Sequence, residues 1–229
     1  MELNVFVICA IAGFAAQLVD GSLGMGYGTS LSIFLMSLGI PPALTSASIH
    51  LAEVFTTGAS GLSHLKLGNV DGALFRKLLV SGVLGGVLGA YVLTQIPGDT
   101  IKPFIAVYLL VMGAVIIFKA FRQPQPKHVT THILPLGVAG GFFDAVGGGG
   151  WGPIVASTLL ARGNNPRKSI GSVNIAEFFV ALAVSITLLT AVSIETHLQV
   201  LAGLIVGGVL AAPLAAYMNR ILPTRALMG

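Results

Sequence analysis

The chain repeats a segment of itself, and no other feature constrains its fold as strongly. Residues 13–55 superpose without a gap on a stretch 124 positions further along. Asp20 falls on Asp144. Gly24, Gly26 and Gly28 fall on Gly148, Gly150 and Gly152. Tyr27 falls on Trp151, Pro42 on Pro166, Ser48 on Ser172, and Ala52-Glu53 on Ala176-Glu177. In a hydrophobic chain such a repeat points to a transporter, because many transporters form their substrate site between two related halves.

Composition supports a membrane setting. Apolar residues make up 55% and charged residues 9%, against about 25% charged in a soluble domain. The expected architecture is an all-α, polytopic membrane helix bundle facing lipid. The net charge of +4 is scattered through short loops and forms no patch, which argues against a nucleic-acid partner. The single Cys9 excludes an intramolecular disulfide. The N-terminus carries Glu2 and lacks the basic region of a cleaved signal peptide, so it reads as the first membrane segment.

Apolar segments run roughly 3–19, 27–38, 43–65, 73–96, 101–121, 133–145, 151–161, 169–193 and 197–219. A full span needs about 20 residues. The segments 27–38, 133–145 and 151–161 are too short, and each lies beside a glycine-rich turn, 20–28 or 144–152. Irregular backbone sits at membrane depth only where protein buries it or it lines a cavity. We therefore read 3–38 and 133–161 as two hairpins of short or broken helices whose tips meet near the midplane. The alternative is a pair of ordinary tight loops at the membrane surface.

Loop charges predict the orientation. Lys66, Arg76, Lys77, Lys119, Arg122, Lys127, Arg162, Arg167, Lys168, Arg220 and Arg225 fall in alternate connections and at the C-terminal end, and are expected in the cytoplasm. Asp99 with Lys102, and Glu195 with His197, are expected outside. The N-terminus is then outside and the C-terminus cytoplasmic. The two hairpins enter from opposite sides, so the repeats are inverted. The expected division is a first repeat (1–97), a linking helix and cytoplasmic linker (98–130, including Gln123-Pro124-Gln125-Pro126-Lys127) and a second repeat (131–229).

Of eight carboxylates, four are the repeat pairs Asp20/Asp144 and Glu53/Glu177, all in apolar surroundings. An ionisable residue inside a membrane is costly and suggests function. Burial favours the neutral carboxyl, so Glu53 and Glu177 are candidates to bind and release a proton near neutral pH. Asp20 and Asp144, beside glycine turns, are candidates for coupling or for turn capping.

Ser46, His50, Glu53, Thr57, Ser60 and His64 recur at steps of three and four, on one helical face. Ile49, Leu51, Ala52, Val54, Phe55 and Leu62 form the other. The polar stripe faces a cavity or a partner helix. His50 and Glu53 are its sharper pair, while Thr57, Ser60, Gly58 and Gly61 suit packing. In the second repeat, Asn174 and Glu177 take the places of His50 and Glu53.

Clustered glycines let backbone N–H groups converge on an anion. Residues 24–28 and 148–152 are candidate cradles, which places Gly24, Gly26, Gly28, Gly148 and Gly150 at a binding site. Tyr27 and Trp151 either flank the ligand or pack. No Walker A sequence encodes ATP drive. A metal site built from His50, Glu53 and His64 is disfavoured, since the repeat lacks the histidine and no CxxC or HExxH exists.

Together these motifs resemble the sulfite exporter TauE/SafE family. The stretch from Gly13 through Asp20 to Gly28, and its copy from Gly137 to Pro153, look like that family's repeated hallmark. Segments 48–55 and 171–179 look like one of its branches. The resemblance implies secondary export of a small sulfur-containing anion, such as sulfite or an organosulfonate, across the bacterial inner membrane. The predicted mechanism is alternating access. Gly24, Gly26, Tyr27, Gly28, His50, Gly148, Gly150, Trp151 and Asn174 bind the anion, and Glu53, Glu177, Asp20 and Asp144 couple its movement to protons. A passive anion channel and an intramembrane enzyme using His50 and Glu53 are the alternatives, with the enzyme disfavoured. No cofactor and no metal are expected. Lipid and the anion are the expected partners, and the oligomeric state stays open.

Overall fold

The computed structural model describes residues 2–120, 131–193, 198–223 and 227. Residues 123–127, Arg122, Glu195, His197 and Arg225 lie outside this set. The described residues form α1 (Glu2–Leu23), α2 (Tyr27–Ser37), α3 (Pro42–Lys66), α4 (Gly72–Gln95), α5 (Gly98–Ala120), α6 (Ile133–Gly147), α7 (Ser157–Ala161), α8 (Pro166–Leu189) and α9 (Leu198–Ile221). A π-helical turn, Gly152–Ala156, leads into α7.

The helix boundaries follow local chemistry. Pro42 and Pro166 open α3 and α8, each behind a residue that is not helical; the ring fixes φ where no amide partner is needed. The Asp71 carboxylate caps α4 by accepting from Ala73 N and Leu74 N, and Asn165 caps α8 through Lys168 N.

Among the described residues, five stretches are long and apolar enough to cross a membrane: Asn4–Leu23, Gly72–Gln95, Gly98–Phe118, Pro166–Leu189 and Leu198–Ile221. α3 is as long, but its polar stripe lowers its hydropathy. Phe104, Leu110, Leu210 and Leu84 stand on the outer surface, more than 60% exposed, as lipid-facing side chains do. This is a multi-pass, all-helical membrane protein. α1 is one continuous 22-residue helix. The first hairpin therefore pairs a full span with a short α2, where two short or broken helices were expected.

Small residues set the packing. An added Cβ at Gly203 would meet Phe6 O, and one at Gly207 would meet Ala10 O. At Gly21 it would stand 2.7 Å from the Ala215 Cβ. The contacts advance in step, so α1 and α9 run parallel with their backbones nearly touching. Gly85 against Val138 O and Gly89 against Phe142 O do the same for α4 and α6. Between these pairs α3 and α8 run antiparallel, with Gly61 on Ile175 and Gly58 on Phe178. Each first-repeat helix α1 and α4 thus packs along one from the second repeat.

Candidate functional site

α1 ends in a turn with Gly24 and Gly26 at φ +76° and +118°, values that L side chains rarely adopt. α6 ends the same way at Gly148, φ +65°. In both repeats the aspartate one turn before the glycines ties the turn down. Asp20 Oδ1 accepts from Tyr27 N at 3.4 Å. Asp144 Oδ1 accepts from Gly150 N at 2.7 Å and Trp151 N at 3.0 Å. The capping role open for Asp20 and Asp144 is thus present. Three amides of the candidate cradles are held by the chain's own carboxylates.

The two turns meet face to face. A Cβ on Gly28 would lie 2.6 Å from Gly149 Cα, and one on Gly152 would lie 2.5 Å from Met25 Cα. Ser32 Oγ donates to Gly148 O at 2.7 Å. From α5, the Tyr108 hydroxyl donates to Gly149 O at 3.2 Å. The tips are buried against one another inside the bundle.

Tyr27 and Trp151 are both buried. The Trp151 indole N–H donates to Val173 O at 3.1 Å, and the ring lies over Gly82. Tyr27 OH lies 3.5 Å from Leu204 O. In this conformation both aromatics pack across the halves.

α3 brings His50 and Glu53 to the turns. Ser46 O sits 2.7 Å from His50 Nδ1, and a carbonyl can only accept, so Nδ1 carries the hydrogen. Ser46 Oγ gives its own hydrogen to Ala145 O at 2.6 Å and therefore also accepts from Nδ1, at 3.2 Å. His50 Nε2 then faces Asp144 Oδ2 at 3.2 Å and Glu53 Oε2 at 4.0 Å. Glu53 is 1% exposed, and neither of its carboxylate oxygens has a hydrogen-bond partner. Its Oε1 lies 3.2 Å from where a Gly28 Cβ would stand. Glu177 and Asp20 are buried nearby, and all four carboxylates lie close enough to sense one another's charge.

The remainder of the stripe divides. Asn174 accepts from Ser60 Oγ at 2.8 Å, joining α3 to α8, while Gly58 and Gly61 pack. His64 leaves the site: its Nε2 donates to Gly21 O at 2.9 Å, and Asn69 donates to its Nδ1 at 3.1 Å. The imagined His50–Glu53–His64 set is therefore wrong in its third member, and Asp144 takes that place. The apolar face of α3 is also only partly outward. Phe55 and Leu62 are exposed, but Ile49 and Ala52 are fully buried. Sequence reasoning missed Ser46 as the anchor of His50, and Tyr108 as a cover on the second turn. Ser46 was visible one turn before His50. A single tyrosine in apolar α5 carries no such signal.

Residues 9–228 match the family described as Sulfite exporter TauE/SafE. The chain belongs to that family. It is 42% identical over 221 residues to the probable membrane transporter protein YtnM of Bacillus subtilis (strain 168), a match that covers 93% of this chain and 74% of YtnM. It is 29% identical over 146 residues to the probable membrane transporter protein ORF9 of a Sinorhizobium species, covering 62% of this chain and 56% of ORF9. No solved structure matches. The family and these relatives describe a membrane transporter, not an enzyme. Within this TauE/SafE chain the duplicated hallmark builds the two interlocked turns.

Proposed function

We propose that the protein is a secondary transporter that exports a small sulfur-containing anion, such as sulfite or an organosulfonate, by alternating access between inverted halves. The observation that carries this reading is the meeting of both glycine turns between the halves, with all four repeat-paired carboxylates buried within electrostatic reach of one another. A multi-pass membrane protein gains nothing in stability by gathering charges there.

The parallel packing of α1 on α9 and of α6 on α4 supports inversion. α4 and α9 are equivalent in the two repeats but leave from opposite ends of the molecule. Basic connections share one end: Lys168 Nζ donates to Gly68 O and Val70 O, Arg162 to Thr131 O, and Arg167 to Leu222 O. This supports a cytoplasmic face there, in the bacterial inner membrane, with the N-terminus outside.

The interlocked turns correspond to a closed state. When the halves part and Asp20 and Asp144 release them, the amides of Tyr27, Gly150 and Trp151 become available to the anion, which binds near Gly26, Gly150 and the two aromatic rings. Glu53 and Glu177 take up or release protons as the path opens, with Asp20 and Asp144 alternating between turn and substrate. His50 and Asn174 line the same path.

Purified protein in liposomes loaded with sulfite or sulfoacetate tests this. The expected result is saturable flux of one anion, accelerated by the same anion on the far side. Non-saturating flux without such counter-transport would establish a channel instead.

A further inference from the structure

We infer that His50, Glu53 and Asp144 form a binding site for one divalent cation of the Zn²⁺ or Mn²⁺ type. The ligand atoms of the three residues all lie within 4.8 Å of one another. Each is prepared for the task by its surroundings. The hydrogen on His50 Nδ1 is committed to Ser46, so Nε2 presents its lone pair to the site. That arrangement, a ligating imidazole oriented by a carbonyl on its other nitrogen, is the usual support of a metal-bound histidine. Asp144 Oδ1 is committed to the amides of Gly150 and Trp151, which leaves Oδ2 facing Nε2. Glu53, 1% exposed, has no partner at either oxygen and stands 4.0 Å from Nε2.

Counting acceptors favours a metal over a single shared proton. While His50 is neutral with its hydrogen on Nδ1, Nε2 and Asp144 Oδ2 face each other as two acceptors, and neither Glu53 oxygen has a partner. One shared proton joins His50 to Asp144 but leaves Glu53 unsatisfied, since 4.0 Å is too long for a hydrogen bond. A cation among the three satisfies all of them at once. One imidazole and two carboxylates form a mixed donor set that suits a borderline first-row ion better than Mg²⁺, which takes oxygen ligands, or Cu⁺, which takes sulfur.

The surroundings favour positive charge. Asp20 from α1 and Glu177 from α8 add carboxylates, and Tyr27 from α2 and Tyr108 from α5 lie within electrostatic reach of the cluster. Among the described residues, the ion pairs that reach Glu53 and Asp144 come from His50 alone. A bound cation also supplies what an anion needs in a chamber walled by carboxylates, a positive partner. That last role rests on the transport reading; binding of the cation does not.

The test is equilibrium binding of Zn²⁺ to the purified, detergent-solubilised protein, wild type against His50→Ala and Glu53→Gln. Folding is checked by the thermal midpoint without metal. The expected result is one Zn²⁺ per chain, held more weakly as pH falls because protons compete for the same groups. Each variant is expected to bind at least about tenfold more weakly, the loss that even a supporting residue causes. Glu53→Gln removes no hydrogen bond of that side chain, so it keeps the test meaningful if His50→Ala unfolds. Binding equal in wild type and Glu53→Gln, or no stoichiometric binding at all, would overturn the site and assign the cluster to protons alone. Neither outcome depends on flux, so failure here leaves the transport reading standing.

Discussion

At the scale of single residues, the repeated aspartates hold the turns, and the proposed function gives them a second duty in transport. Asp144 Oδ1 holds two turn amides while Oδ2 faces His50. The two duties separate by mutation. Asp144→Ala leaves both amides without their acceptor, at about 1–3 kcal/mol each, and is expected to lower the thermal midpoint sharply. Asp144→Asn keeps an oxygen acceptor and loses the charge. It is expected to fold and fail to transport, measured by midpoint and by flux. Gly28 is a second such position. Its Cα approaches Gly149 so closely that a methyl group cannot fit without moving backbone. Gly28→Ala is expected to cost about 1–3 kcal/mol, read as a fall in the thermal midpoint in detergent. The pairing of His50 with Asp144 was not legible in the sequence, because it joins residues 94 positions apart in different repeats. The importance of each residue alone was legible, because an ionisable side chain in an apolar segment needs a reason.

At the scale of elements, boundaries were legible wherever chemistry punctuates the chain. Pro42, Pro166 and Asp71 start helices where the apolar periodicity begins, and Gly24 and Gly148 end them with positive φ. The length of α1 was misjudged because Asp20 and Gly21 look like turn residues, whereas Asp20 caps from within the helix and Gly21 lets Ala215 approach. The polar stripe of α3 was seen, but its partners come from three different elements and no spacing encodes them. Ser60 illustrates the outcome. It bonds Asn174 across the α3–α8 contact, so Ser60→Ala is expected to cost about 1 kcal/mol. A double-mutant cycle with Asn174→Ala should recover most of that as coupling.

At the scale of the whole molecule, the duplicated sequence becomes two interlocked turns between helix pairs drawn from both repeats. The basic end of the bundle is proposed to be cytoplasmic. The only cysteine, Cys9, is buried, so introduced thiols report cleanly. Asp99→Cys is expected to react with an impermeant thiol reagent in intact cells. Arg76→Cys is expected to react only after the membrane is opened. The central claim, however, is that the buried carboxylates couple anion movement to protons. Flux of the transported anion into liposomes under an imposed pH gradient tests it most directly, with wild type beside Glu53→Gln and Glu177→Gln. The account predicts gradient-driven accumulation in the wild type and its loss in both variants, each folded with an unchanged thermal midpoint. Accumulation in both variants equal to wild type would contradict the account and return Glu53 and Glu177 to structural roles.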